Sequence, residues 1–491
     1  MNIEHVEKSY QELESDSTLQ NLIAQANARY ILYNTEESKE NFPRYTIKDE
    51  QLNILAFKYL NIGCNYFSEH NYLKASHSLE KGALILEYIH GSIHIQTKNK
   101  KLFCLISALS YYVCFQYSKA FILIGKLESD TMISSLVSLF LNRKFDQLLS
   151  EIDKLITNSS YGDEYLAEHF EEDNATKIYE IIIAKSLNYY VQFYQTGNKD
   201  FLEIAKKDLV NLQEVAAMRG EPDVWWVIRL LLLIIDGFKE SSLWYVLGNY
   251  FNTEDKLPLK YIQSLVYKNG SITELFLTQR NSLPKVLNNK QGSIVSIPTS
   301  SGKTRIGEIA ILNCLLNEPK AKILFIAPYR SLAYEIENSF DEIFSNLDVS
   351  VSHLYGGSLF SKLDERIIDE SSVIVATPEK AKALFRSNED ILSCIKLVII
   401  DEGHLLGTDK RLIVNEMFYE ELKYHVKANG GRFLLLSAVL PNAEDLSEWL
   451  TDSTDNVYKE NWRPSDERIG IMEWNGVSVN LNWKSTDAER N

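Results

Sequence analysis

Lys303 and the adjacent carboxylates Asp401 and Glu402 are the residues whose types and settings point most directly to chemistry. Lys303 lies in "SIPTSSGKTRIGE", residues 296–308, where a β-rich apolar run gives way to a helical pattern. That is the setting of a phosphate-binding loop. Gly302 lets backbone N–H groups approach phosphates closely, and Thr299, Ser300 and Ser301 form the loop ahead of it. Lys303 is placed to neutralise β/γ-phosphate oxygens and Thr304 to hold Mg²⁺, while the start of the following helix adds favourable dipole charge. One position departs from G-x-x-x-x-G-K-[ST]: Ile297 stands where a small residue belongs. The second signal is "VIIDEGH", residues 398–404, an apolar strand ending in two carboxylates. Asp401 is placed to hold Mg²⁺ and Glu402 to orient and deprotonate an attacking water. An acidic loop at a strand end is the plain alternative. Two such signals in the right order and context point instead to nucleotide hydrolysis.

These residues need a scaffold that gathers strand ends. From about residue 270 onward, short β-rich runs alternate with helical segments: 293–297, 322–327, 349–354, 372–377, 397–401 and 432–438. Buried strands alternating with helices predict a parallel, doubly wound α/β sheet, with ligands at the strands' carboxyl ends. Residues 1–270 read differently. Apolar residues recur there at three- and four-residue spacing, with few prolines, which predicts an all-helical region. In "YLNIGCNYFSEHNYLKASHSLEKGA" the order Gly63, Tyr66, Ala75, Leu79, Gly82 is that of a tetratricopeptide helix pair. A weaker echo runs through Ala108, Tyr111, Ala120 and Ile124, without a fixed period. An irregular helical solenoid is expected, serving either as a plain helical domain or as a partner-binding surface.

The whole chain has 491 residues, 45% of them hydrophobic, and a net charge of −16. The length implies more than one domain, and the charge argues against a generally basic nucleic-acid binder while leaving room for a local basic groove. Cys64, Cys104, Cys114, Cys314 and Cys394 form no C-x-x-C pair. A reducing, cytoplasmic setting is expected. The polar, acidic N-terminus is no signal peptide. The run "VWWVIRLLLLII", 224–235, is too short to span a bilayer and reads as a buried helix, so no membrane association is expected. His90 and His94 have ligand-like spacing without a third ligand, and read as ordinary residues.

The order of motifs resembles superfamily-two DExH helicases of the SKI-type group over residues 272–464. Gln279, in "ELFLTQRNSL", matches the family glutamine that reads adenine. "PTSSGKT" is similar to motif I. "APYRSLAYE" resembles motif Ia, with Arg330 at a position that faces the nucleic-acid backbone. "YGG" with Gly357, and "ATPEK" with Thr377, Pro378 and Lys380, look like strand-contacting motifs. Lys380 reads equally as an exposed lysine or as a phosphate contact. "DEGH" is a DExH box with His404 in the coupling position, and "SAVLPN" resembles motif III through Ser437, with Val439 where the family has threonine. The resemblance implies a RecA-like domain using ATP and Mg²⁺ on a DNA or RNA track, single-stranded, bound mainly through phosphates and sugars. A helical extension on such a core is also similar to the helicases of Hachiman-type anti-phage defence systems. That likeness implies a small nuclease-like partner and activation by damaged or foreign DNA.

Family members hold ATP between two RecA-like domains, the second supplying an arginine finger worth about 10³–10⁵-fold in rate. No Q-x-x-G-R-x-G-R-like motif follows the first domain here. The expected organisation is therefore a helical regulatory or partner-binding domain over 1–270, a first motor domain over 271–465, and the start of a linker over 466–491. On its own the chain is expected to be nearly inactive, as part of a longer helicase. Two other readings stay open. One is a P-loop signalling switch with a helical sensor. The other is an idle scaffold, suggested by Ile297 and Val439.

Overall fold

A computed structural model describes residues 3–34, 48–91, 100–127, 131–158, 172–354, 366, 368–387, 393–405, 410–438, 440–463, 470–474, 476 and 479–483. Its first half is helical: α1 (Ile3–Ser15), α2 (Ser17–Asn34), α3 (Asp49–Ser68), α4 (Tyr72–His90), α5 (Lys100–Val113), α6 (Tyr117–Gly125), α7 (Met132–Leu141), α8 (Phe145–Asn158), α9 (Glu172–Thr196), α10 (Asp200–Arg219), α11 (Pro222–Ser241), α12 (Leu243–Gly248) and α13 (Lys256–Tyr267).

The pairing of α3 with α4 follows from the small residues seen in the sequence. A Cβ on Gly63 would lie 2.5 Å from the Leu79 side chain, and one on Gly82 would lie 2.8 Å from Leu60. Tyr66 is buried beside them and its hydroxyl donates to Glu7 of α1 at 2.6 Å. The apolar run 224–235 is the buried body of α11, which starts with Pro222 at its first turn, where the missing N–H costs nothing. His90 closes α4 and is buried; His94 lies outside the described residues. All five cysteines are unpaired. Among the described residues no helix is long and apolar enough to cross a membrane.

The second half is a parallel sheet of seven strands: β1 (Gly292–Ser296), β2 (Lys322–Ile326), β3 (Val351–Leu354), β4 (Val373–Ala376), β5 (Ile395–Ile400), β6 (Arg432–Ser437) and β7 (Val457–Lys459), in the order β3-β4-β2-β5-β6-β1-β7. It carries α14 (Leu277–Asn288), α15 (Lys303–Asn317), α16 (Arg330–Phe344), α17 (Pro378–Ser387), α18 (Lys410–Ala428) and α19 (Ala443–Thr451). A separate hairpin pairs β8 (Gly470–Trp474) with β9 (Val479–Trp483). The six runs expected from sequence are β1 to β6, and β7 and the hairpin were not expected.

The strands alternate with period two, so each sheet face has its own core. Ile294, Leu324, Ile374, Val398 and Leu435 pack with Leu384 of α17 and Leu422 of α18. Val295, Phe325, Val375, Ile399 and Leu436 point the other way, and their cluster continues through α15 and α16 into the helices of the first half. The apolar core therefore runs unbroken across residue 270. Polar contacts cross the same boundary. Tyr261 of α13 donates to Glu308 of α15 at 3.0 Å, and Arg305 pairs with the same buried carboxylate. Lys256 and Lys260 pair with Asp348, and Lys268 with Glu342.

Candidate nucleotide site

The loop after β1 turns twice through left-handed backbone, at Ser300 (φ 69°) and Gly302 (φ 74°). Glycine is required at 302 for a second reason: a Cβ there would collide with the Gln279 amide. Thr299 and Ser300 are exposed, Ser301 is buried, and Gly302, Lys303 and Thr304 are half-buried at the start of α15. Their N–H groups stand at a helix N-terminus, the part of a helix that receives anions. Ile297 is fully buried and its N–H donates to Ser437 O at 3.1 Å. The departure at that position thus extends β1 into the core and leaves the turn itself intact.

Asp401 and Glu402 follow β5, the strand beyond β6 from β1. Asp401 N donates back to Ile326 O at 2.9 Å, continuing the ladder, and its carboxylate accepts from Glu402 N at 2.9 Å. Glu402 then adopts φ 51°, uncommon for a residue with a side chain. The chain turns sharply, and Gly403 presses so close to β6 that a Cβ would lie 2.5 Å from Leu435.

This geometry brings the expected residues together. Lys303 Nζ lies 3.2 and 3.3 Å from the two Glu402 oxygens. His404 Nδ1 lies 3.1 Å from Glu402 Oε2. His404 N donates to Ser437 Oγ at 3.1 Å. A proton on His404 Nδ1 directed at Glu402 leaves that nitrogen unable to accept from Ser437 Oγ, 3.4 Å away, so the backbone bond is the secure link between them. Phosphate loop, carboxylate pair and the end of β6 thus form one chain of contacts.

Burial, followed by the neighbouring Glu402, pushes the Asp401 carboxyl up to about 6. Such a site disfavours further negative charge, and a divalent cation relieves that. Among the described residues no group of three or more His, Cys, Asp or Glu could hold a metal alone. One carboxylate, one hydroxyl and substrate phosphates are the usual donors for Mg²⁺, and Asp401 and Thr304 fit that set.

Gln279 is 5% exposed and spans two elements. Its Oε1 accepts from Phe276 N at 2.8 Å and its Nε2 donates to Gly302 O at 3.0 Å. Beside it the Phe276 and Trp462 rings lie 6.0 Å apart, and Ser301 Oγ reaches Trp462 O at 3.5 Å. Phe276 has no motif signal of its own, and Trp462 stands in the sequence "NWRP", residues 461–464.

The residues expected to contact a nucleic-acid strand behave unevenly. Arg330 is exposed at the first turn of α16, beside Tyr329, which is 47% exposed. Pro328, Tyr329, Pro378, Asn415 and Tyr419 line an open cleft that reaches Asp401 and Glu402. Asn415 and Tyr419, on α18, carry no sequence signal that would have found them. Thr377 is buried. Lys380 corrects the expectation of an exposed lysine: it is 5% exposed. It lies beside Ala381 and one turn before Leu384, on the inward face of α17. Gly357 and Val439 lie outside the described residues.

Residues 277–446 match the DEAD/DEAH box helicase family. Hachiman protein HamB of Bacillus cereus is 40% identical over 486 residues, which is 99% of this chain and 43% of that protein. ATP-dependent DNA helicase Hel308 of Thermococcus kodakarensis is 33% identical over 218 residues, 44% of this chain and 18% of that protein. The chain thus spans less than half the length of these curated relatives. Among solved structures, DEAD-box helicase Mss116 bound to ssRNA and UDP-BeF aligns with TM-score 0.37 at 19% identity, covering 43% of this chain and 44% of that one. DUF1998 helicase MrfA bound to DNA aligns with TM-score 0.36 at 19% identity, covering 40% and 29%. The family match and the HamB likeness do not favour the signalling switch or the idle scaffold.

Proposed function

We propose, from the match of residues 277–446 to the DEAD/DEAH box helicase family, that the chain is the N-terminal part of an ATP-driven helicase or translocase of a Hachiman-type anti-phage defence system. The observation that carries the ATP-driven reading is the contact chain Lys303–Glu402–His404–Ser437. The defence role is supported by likeness to HamB along nearly the whole chain.

In this reading the triphosphate enters at the start of α15 and draws Lys303 from Glu402 onto the β/γ-phosphate oxygens. Glu402 is then free to take a proton from water as its oxygen bonds to the γ-phosphorus and the bond to the β-phosphate oxygen breaks. Thr304 and Asp401 would hold Mg²⁺, which supplies charge neutralisation at the phosphates. Gln279 meets the adenine edge from a position braced against Gly302. Because His404 is tied both to Glu402 and to Ser437, a change at the γ-phosphate reaches the end of β6. A nucleic-acid track, single-stranded DNA or RNA, runs past Arg330, Tyr329 and Pro378, at the mouth of the cleft leading to Asp401.

Residues 1–270 serve as the regulatory and partner-binding region, residues 271–465 as the first motor domain, and 466–491 begin the link to further chain. The unpaired cysteines fit a cytoplasmic setting.

The test is steady-state ATP turnover by a form carrying both motor domains, with and without single-stranded DNA or RNA. Strand-stimulated turnover should disappear in Lys303→Ala and in Glu402→Gln. Turnover indifferent to every nucleic acid offered would remove the helicase reading, and turnover surviving Glu402→Gln would remove Glu402 as the base.

A further inference from the structure

We infer that Glu274 is a positioning residue for the nucleotide pocket, the point through which the N-terminal helices set the phosphate loop. This rests on the nucleotide-site reading above and adds a regulatory contact to it.

Glu274 lies between α13 and α14, and its side chain is 2% exposed. Its carboxylate accepts from Tyr112, from Tyr117 at 2.9 Å, from Tyr194 at 3.3 Å and from Ser241 at 2.6 Å. The Arg143 guanidinium stands 3.7 Å away. Every one of these groups comes from the first 241 residues, on α5, α6, α9, α11 and the turn before α8. The backbone is held as well: Leu275 N donates to Ser241 O at 2.8 Å, and Leu243 N to Thr273 O at 3.0 Å.

A buried carboxylate is costly unless its lone pairs are filled, and apolar packing would anchor a segment with less desolvation. What the filled cage adds is a fixed register for residues 273–279. From there each step to the phosphate loop is a direct contact. Phase of the helix start is set at Phe276, whose ring lies 6.0 Å from Tyr117 on one side and 6.0 Å from Trp462 on the other. Phe276 N donates to Gln279, and Gln279 donates to Gly302 O, the residue before Lys303. Tyr261 gives the first half a second hold, on Glu308 within the phosphate-loop helix. A partner or strand that shifts the helices around Glu274 therefore shifts the loop that holds the triphosphate.

The experiment titrates a fluorescent ADP analogue with Mg²⁺ into the 491-residue chain and into variants whose melting temperatures are measured alongside. Glu274→Gln should weaken binding by about five- to tenfold, the lower range of coupling between linked sites. If Glu274 acts through Gln279, the double variant with Gln279→Ala should bind no more weakly than Gln279→Ala alone. A Glu274→Gln chain that melts lower but binds like the parent overturns the inference, since a merely structural role would do that. Should Glu274→Gln fail to fold, Tyr117→Phe removes one hydroxyl from the cage; weakened binding supports the inference and unchanged affinity overturns it. Lys303→Ala separates the two levels. Parent binding that is absent, or equal in Lys303→Ala, sinks the nucleotide site and this inference with it. Binding lost in Lys303→Ala but untouched in Glu274→Gln sinks only the inference.

Discussion

At the scale of single residues, the site rests on a few side chains whose neighbours fix them. Glu402 is shared between Lys303 and His404. Replacing it by glutamine keeps its size and the neighbouring Asp401, and should lower turnover by about 10²-fold or more while nucleotide still binds; retained turnover in a two-domain form would contradict this. Gly302→Ala introduces both an unfavourable left-handed backbone and a collision with Gln279. It should weaken nucleotide binding at least tenfold, about 1.4 kcal/mol in affinity, and binding equal to the parent would show that the loop is not set this way. The contacts among Lys303, Glu402, His404 and Ser437 were legible in the sequence because each residue ends or follows a strand in a recognisable motif. Lys380 was not legible, because its burial depends on which face of α17 turns inward. Glu274 was not legible either, since its five partners come from five places in the chain.

At the scale of elements, the sheet was legible for a simple reason. Its central strands are continuous apolar runs with Gly, Ser, Thr or Asp at their ends. β7 escaped because it is only three residues, Val457–Lys459, and half-exposed. The β8–β9 hairpin escaped although Asn475–Gly476 between two alternating runs is a turn signal, and Gly476 takes φ 92°. In the helical half, burial pushes the His90 imidazole down to about 4, with Lys100 and Lys126 adding to the effect. The folded chain therefore holds His90 neutral while the unfolded chain protonates near the ordinary 6.5. The stability that this neutral state maintains is fully present above pH 6.5. It falls as the pH drops towards 4, with a slope of up to about 1.4 kcal/mol per pH unit. Urea midpoints measured between pH 7 and pH 4.5 should fall less steeply for His90→Gln than for the parent. Identical slopes would mean that His90 titrates normally.

At the scale of the whole molecule, the change of pattern near residue 270 marked a change of architecture but not of core. One face of the sheet shares its apolar cluster with the helices, so the two halves stabilise each other. Residues 271–463 expressed alone should expose that face, deprive Glu308 of Tyr261, and aggregate or melt well below the intact chain; a soluble fragment with the parent's melting temperature would refute the shared core. The same continuity gives the regulatory role proposed for the helices a direct route to the sheet, through packed side chains. The role proposed for Lys303 requires that the loop before α15 hold a nucleotide. Its most direct test is calorimetric titration of Mg–ATP into the 491-residue chain beside Lys303→Ala. Saturable binding by the parent and none by the variant is the expected result, and equal heats from the two proteins would contradict it.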